Sequence, residues 1–381
     1  MKKNIMIIIP RLGLGGAELF LANIIPHLKE KFHVDLVCID GKGILSKKFK
    51  DSGIKVYYLN FFSILSFPWI VYKVIKLIRQ NNTQVVHSFL YPSDILTIFI
   101  RIMFPRKLKI IWSIRLSILP LFTKLTTRIS RRIVVLFSHI IPDRVIACGQ
   151  EALDHHKKIG FDTTNSVVIP NFPPDWVETT KSKSNLLLEG NSDILTVGSA
   201  ARFTPGKGQE LLLEILRINQ NDKNALFNLK LSFCGLGTEV GGELYKFVIK
   251  KYSDVIDYCS FNGQIIDKKY ELWLSSIDLY ALTSNSIEGN PNSFLEAVSV
   301  RVPIVGTEIG SSALMAAPEC LVPLQNLSAE TFFNRIKFWV ELDLHERLSL
   351  IEKNKRLMES NFSKNIIIKS YIENYNLLMK D

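Results

Sequence analysis

Two carboxylates stand eight residues apart in the stretch NSIEGNPNSFLEA, Glu288 before a Gly-Asn-Pro-Asn turn and Glu296 after it. A pair of acids at a loop and helix start suits three kinds of chemistry: general acid/base hydrolysis, hydroxyl recognition in a sugar site, or plain helix-terminus electrostatics. If Asn290 caps a helix with Pro291 at its first position, Glu296 lies well inside that helix and Glu288 precedes it. Neither acid is then a first-turn residue. A second constellation, ARFTPGKGQ, places Arg202 and Lys207 on either side of a Pro-Gly turn. A guanidinium and an ammonium so spaced suit a diphosphate, with the arginine giving the two-pronged contact. It is not a Walker A loop, because Gly208 follows the lysine where Ser or Thr is required. A third, Gly13-Leu14-Gly15-Gly16-Ala17-Glu18, lets backbone approach a ligand closely. Glu18 occupies the third glycine position of the dinucleotide fingerprint, which argues against NAD.

These residues need elements to hold them. Apolar runs such as Asn4–Pro10, His33–Asp40, Val56–Leu59, Gln84–Ser88, Lys109–Ile114 and Arg144–Cys148 alternate with helical patterns. A second series has strands at Ile194–Ser199, Leu229–Cys234, Ile256–Phe261, Leu279–Thr283 and Val302–Thr307, with 328–379 mostly helical. Such alternation predicts α/β architecture with parallel sheets covered by helices. Proline and small polar residues between Ile169 and Ser184 mark a linker. The expected domains are 1–175 and 185–364, with a C-terminal helix at about 365–381 packing back on the first.

The chain of 381 residues is 47% hydrophobic and 22% charged, a globular composition. Five scattered cysteines without a CxxC pair fit a reducing compartment and neither a disulfide framework nor a zinc site. No uncharged apolar run is long enough to span a bilayer, and the short N-terminal run before Pro10 reads as a buried strand rather than a signal peptide. The net charge of +11 is concentrated in residues 1–170, which carry 25 Lys+Arg against 10 Asp+Glu. Between Asp94 and Asp143 there is no acid. A basic, apolar-rich segment suits an anionic membrane surface; a solvated face over an ordinary core is the alternative. No nucleic-acid module is legible, so none is expected as partner.

In this order, the GGAE turn, the R-x4-K-G turn and the E-x7-E stretch resemble the retaining nucleotide-sugar glycosyltransferases of family 4. Val85-Val86-His87-Ser88, Ile169-Pro170-Asn171 and the Glu296–Val305 run extend the resemblance over essentially the whole chain. It implies a GT-B fold, two Rossmann-like doubly wound domains facing a central cleft. It implies a donor site in which Arg202 and Lys207 hold the diphosphate and Glu296 the ribose. Glu288, with Gly289, Asn290 and Asn292, then holds the sugar. Gly15 and Gly16 approach the phosphate end, and His87 contacts the sugar. Arg202, Lys207, Glu288 and His87 are the expected catalytic residues. The donor is expected to be a UDP- or GDP-sugar with no further cofactor, and the acceptor a glycan or polyprenyl-linked saccharide at the inner membrane face. No D-x-D triplet is present, so no metal site is expected. The sequence departs from the family pattern at Trp112-Ser113-Ile114-Arg115, where many members carry a His-Asp pair, and at Phe172. A glycosidase using both glutamates, a sugar-nucleotide epimerase of similar fold and a non-catalytic binding module remain as other readings; the cationic turn weighs against the glycosidase.

Overall fold

The computed structural model describes residues 2–105, 107–115, 125–179, 194–223, 225–286 and 288–380. Most of the linker's polar tract, Thr179 to Ser184, lies outside them. The chain divides into two compact units: unit 1 comprises residues 1–172 and 364–381, and unit 2 residues 173–363.

Unit 1 is built on seven parallel strands: β1 (Asn4–Ile9), β2 (His33–Cys38), β3 (Lys55–Tyr58), β4 (Val85–Phe89), β5 (Lys109–Ile114), β6 (Arg144–Ala147) and β7 (Ser166–Val168). Their order is β3-β2-β1-β4-β5-β6-β7. Five of the six residues of β1, NIMIII, are buried, as expected of a central parallel strand with helices on both faces. The helices are α1 (Gly16–Lys31), α2 (Ser46–Asp51), α3 (Phe67–Gln80), α4 (Tyr91–Met103), α5 (Leu125–Phe137) and α6 (Gln150–Lys158). α1 carries Glu18 in its first turn and Lys29 and Lys31 in its last, matching the helix dipole at both ends. Ile70, Val74 and Ile78 of α3 recur every four residues and pack with Leu96 and Ile100 of α4 on Met6, Ile8 and Val86. The chain's last helix, Lys364–Leu378, also belongs to this unit and packs beside α1.

Unit 2 repeats the plan with six parallel strands: β8 (Ile194–Ala200), β9 (Asn228–Cys234), β10 (Cys259–Phe261), β11 (Leu279–Leu282), β12 (Ile304–Glu308) and β13 (Leu321–Pro323). Their order is β10-β9-β8-β11-β12-β13. Its helices are α7 (Gln209–Asn221), α8 (Glu243–Lys251), α9 (Asp267–Leu274), α10 (Asn292–Ser299), α11 (Ala329–Glu341) and α12 (Leu344–Phe362), which makes the last helix α13. In each unit the strand order reverses beside the unit's first strand, between β1 and β4 and between β8 and β11. Loops leaving those two strands flank the switch point, where ligands of open α/β sheets bind.

Three local expectations change. The strand expected over Ile256–Phe261 is only Cys259–Phe261, because Ser253–Tyr258 form a 3-10 turn. The apolar run Ile95–Phe104, which Arg101 interrupts and which is expected only not to cross a membrane, belongs to an amphipathic helix, Tyr91–Met103. The helical region 328–379 is three helices, broken before Asp343 and at Ser363. α11 and α12 each open with a capping box, Ser328 with Thr331 and Asp343 with Glu346.

Candidate functional site: the loops after β8 and β11 in unit 2

The turn after β8 and the loop after β11 are locked together by backbone. Gly208 begins α7 at φ +71, and a Cβ there would lie 1.9 Å from the Thr283 carbonyl oxygen. Only glycine combines that left-handed conformation with that approach. The Asn285 amide donates to the Gly206 carbonyl at 3.0 Å, and Thr283 Oγ1 donates to the Lys207 carbonyl at 2.9 Å. Gly206, at φ +92, leaves room for Ser286, whose Oγ would be 2.3 Å from an added Cβ.

This interlock brings Lys207 against Glu288. Its ammonium pairs with Glu288 Oε1, and Ser284 Oγ donates to the same oxygen at 2.8 Å. Both side chains keep some solvent contact, 28% for Lys207 and 17% for Glu288, so an arriving ligand can compete for either. The Glu288 carbonyl is backed by Gly310, where a Cβ would come within 2.7 Å. Arg202 is exposed and makes no ion pair among the described residues, while its carbonyl accepts from Gln209 Nε2 at 3.1 Å. Its guanidinium is thus available to an anion.

The expected cap is displaced by one residue. α10 begins at Asn292 with Pro291 in the cap position, and no side chain caps it. Proline has no donor or acceptor side chain to offer, so the first amides of α10 form a helix N-terminus suited to anions or hydroxyl oxygens. Asn290, instead of capping, has both amide atoms buried without a partner among the described residues. Such atoms are costly unless a ligand satisfies them.

Glu296 lies in the next turn of α10. Burial pushes its carboxyl up to about 7, and the Tyr270 hydroxyl beside it pulls in the opposite direction. Tyr280, also nearby, donates to Ser293 Oγ at 2.6 Å, and Ser293 Oγ donates to the Ala200 carbonyl at 2.9 Å. A half-buried carboxyl of this kind accepts hydrogen bonds from hydroxyl groups strongly once ionised. Ser284, Tyr270 and Tyr280 are not singled out by the sequence. A serine five residues past a strand start carries no signal of its own, and the tyrosines read as ordinary core.

In unit 1 the turn after β1 is glycine-rich for a visible reason. A Cβ on Gly15 would lie 2.4 Å from Glu18 Oε2, so the carboxylate folds back over the turn. Glu18 is buried, and Gly16 is exposed. A carboxylate held there repels a phosphate and suits hydroxyl groups, which weighs against the expected phosphate approach at Gly15 and Gly16.

His87 is placed differently from its expectation. It is fully buried, with Nδ1 2.7 Å from Tyr375 Oη and Nε2 2.7 Å from Ser113 Oγ. Both ring nitrogens are therefore used inside unit 1, and none is left for a sugar. Burial, with Arg115 nearby, keeps the ring neutral well below the usual histidine range. Arg115 itself bonds Asn171 Oδ1 at 2.7 Å and the Tyr371 hydroxyl, with its guanidinium 4.1 Å from the Phe20 ring centre. His87 and Arg115 thus anchor α13. The i, i+4 spacing of Tyr371 and Tyr375 was the available signal. Next to them, Leu90 holds φ 69 and ψ 151, a region glycine normally occupies, in the turn from β4 to α4.

Among the described residues no group of three or more His, Cys, Asp or Glu is placed to hold a metal, and no helix is long and apolar enough to cross a membrane.

Residues 14–173 match the family model Glycosyltransferase Family 4, and residues 191–341 match Glycosyl transferases group 1. The chain belongs to the family 4 glycosyltransferases of the GT-B fold. It is similar in structure to Alr3699/HepE of Anabaena, solved in complex with UDP and glucose, at 17% identity and a TM-score of 0.80, covering 98% of this chain and 99% of that one. It is also similar to a sucrose-phosphate synthase (tll1590) from Thermosynechococcus elongatus, at 14% identity and TM-score 0.76 over 100% of both chains. A glycosyltransferase from Rickettsia africae gives 16% identity and TM-score 0.76 over 100% of this chain and 99% of that one. No curated protein matches the sequence.

Proposed function

We propose that this glycosyltransferase moves a sugar from a UDP- or GDP-sugar to a glycan or polyprenyl-linked saccharide, with retention of configuration and without a metal. The observation that carries the reading is the interlocked pair of loops that seats Lys207 on Glu288, with the exposed Arg202 on the same turn after β8. In the reaction the bond from the sugar's anomeric carbon to the diphosphate breaks. A bond from an acceptor hydroxyl forms, and the hydroxyl proton leaves with the nucleoside diphosphate. Arg202 and Lys207 neutralise the departing diphosphate, and do so best where water is excluded. Lys207 must exchange part of its contact with Glu288 for phosphate, which frees that carboxylate for the donor sugar's hydroxyls. Asn290, Asn292 and the Gly289 amide line the same end, and Glu296 takes the ribose. The complex of Alr3699/HepE with UDP and glucose supports the nucleotide-sugar class. Sugar transfer to a lipid-linked acceptor would serve a surface polysaccharide, lipopolysaccharide or capsule, on the cytoplasmic side of the membrane, in contact with lipid through the basic unit 1.

The test is a donor screen with membrane extract as acceptor source, reading nucleotide release and labelled product. Arg202→Ala and Glu288→Ala are each expected to lower kcat/KM about 30-fold or more, corresponding to about 2 kcal/mol of transition-state stabilisation. Unchanged activity in both variants would refute the site. Release of free reducing sugar from an oligosaccharide without any nucleotide would point instead to hydrolysis.

A further inference from the structure

Helix α5 shows solvent a row of apolar and basic side chains. Leu125, Ile129, Arg132 and Leu136 follow one another at steps of four, three and four, so they stand in one line along the helix. Leu125 is 71% exposed, Ile129 48% and Leu136 66%, while Val134 points into the core. An ordinary surface helix reverses this arrangement.

The neighbouring helices continue the face. α3 packs on α4 and α4 on α5, and the Phe67 and Phe99 rings meet at 5.1 Å. α4 adds Ile102, 71% exposed. Trp69 of α3 is 57% exposed, stacks on Tyr72 at 5.2 Å and has the Lys73 ammonium 5.5 Å from its ring. Between Asp51 and Asp143 the sequence holds 13 Lys+Arg and a single acid, Asp94. Asp94 is buried, so α3, α4 and α5 themselves show solvent no carboxylate; Asp143 beside Arg101 and Asp162 beside Ser138 border them.

We infer that the outer face of α3, α4 and α5 seats on an anionic lipid bilayer. This deepens the membrane contact of the proposed function by assigning it a surface. Lysine and arginine would lie among headgroup phosphates, and their stems would lie along apolar side chains. Trp69 and Tyr72 suit the headgroup level, and Leu125, Ile129 and Leu136 enter the acyl boundary. A nucleic acid has no use for the leucine and isoleucine row, and a protein partner is less well matched to a face this basic and this rich in exposed aliphatics.

The test is sedimentation of the full chain with vesicles of phosphatidylcholine, alone or mixed with phosphatidylglycerol, at low and high salt. Binding is expected only to the mixed vesicles and to weaken with salt. Arg132→Ser combined with Lys76→Ser is expected to weaken it about 25-fold, from about fivefold per cation. Ile129→Glu with Leu136→Glu is expected to abolish it, and Leu272→Glu in unit 2 to leave it unchanged. Brominated lipid should quench wild-type fluorescence, and Trp69→Phe should remove that quenching, a readout that does not depend on the charged variants folding. Absence of binding at low salt, equal binding to neutral vesicles, or retention of RNA in place of lipid would overturn the inference. Donor turnover on a detergent-dispersed acceptor, measured in the same variants, separates the two proposals. Its loss in wild type strikes the catalytic reading, whereas loss of vesicle binding alone strikes this one.

Discussion

Replacing Gly208 by alanine tests whether the site depends on the backbone contact between its two loops. Two costs are expected. A non-glycine residue at φ +71 loses about 1–2 kcal/mol to left-handed strain. The added Cβ would also sit 1.9 Å from the Thr283 carbonyl oxygen, roughly 1.5 Å short of a normal contact. Relief requires the loops to part, which breaks the hydrogen bonds from Thr283 Oγ1 to Lys207 and from Asn285 to Gly206, about 1 kcal/mol each. The expected total is about 3–4 kcal/mol. Gly241→Ala is the matched control: its φ is +78, and nothing lies within 4 Å of an added Cβ, so it pays strain alone. Urea unfolding followed by tryptophan fluorescence, with Trp273 and Trp339 buried in unit 2, measures the difference. UDP affinity should fall at least about tenfold in Gly208→Ala, since Lys207 and Glu288 are then displaced, and stay unchanged in Gly241→Ala. Equal destabilisation by the two substitutions would refute the reasoning, whatever their absolute size.

Acid should weaken unit 1 through its buried histidines. His87 is held neutral well below its ordinary 6.5, and burial lowers His156 to about 4. The unfolded chain therefore takes up protons first, and the stability each neutral ring contributes is lost as pH falls below about 6.5, roughly 2 kcal/mol per ring from pH 7 to 5. Buried Asp94, raised well above 3.8, has the opposite sign, so the informative quantity is the difference between wild type and His156→Gln in urea unfolding at the two pH values. An unchanged difference would remove this account. For Glu296, a carboxyl raised to about 7 and asked to accept ribose hydroxyls should ionise on binding. Nucleotide binding is then expected to release up to one proton near pH 6.5 and to tighten as pH rises through 7. Calorimetry in buffers of differing ionisation enthalpy reads the proton; Glu296→Gln should release none.

Much of this was legible from residue order because buried parallel strands are written as apolar runs, and Gly208 and Gly206 are written as glycines. The resemblance of the two turns to a family then supplied residues in sequence that distance alone could not relate, such as Lys207 and Glu288. What stayed hidden depended on tertiary placement. His87 looked like a ligand-facing group because it ends a strand, and only the return of α13 shows that Tyr375 takes its Nδ1. Asn290 looked like a cap, but Pro291 moved the helix start past it. Helix α4 was hidden because its apolar run invites comparison with the length of a membrane span, although Asp94 in its first turn, Arg101 in its last and Pro105 beyond it are helix signals.

The two units also differ in when they can be finished. Unit 2 is an uninterrupted segment, complete once residue 363 has been made, whereas unit 1 is made in two parts, residues 1–172 before it and residues 364–381 after it. During synthesis, sheet β1–β7 therefore emerges before unit 2, and His87 and Arg115 lack the Tyr375 and Tyr371 hydroxyls until α13 has followed. A chain cut after residue 363 would carry all of unit 2 but a unit 1 that lacks α13. Folding of unit 1 is thereby tied to synthesis of unit 2, because α13 cannot reach sheet β1–β7 before residues 173–363 have been made.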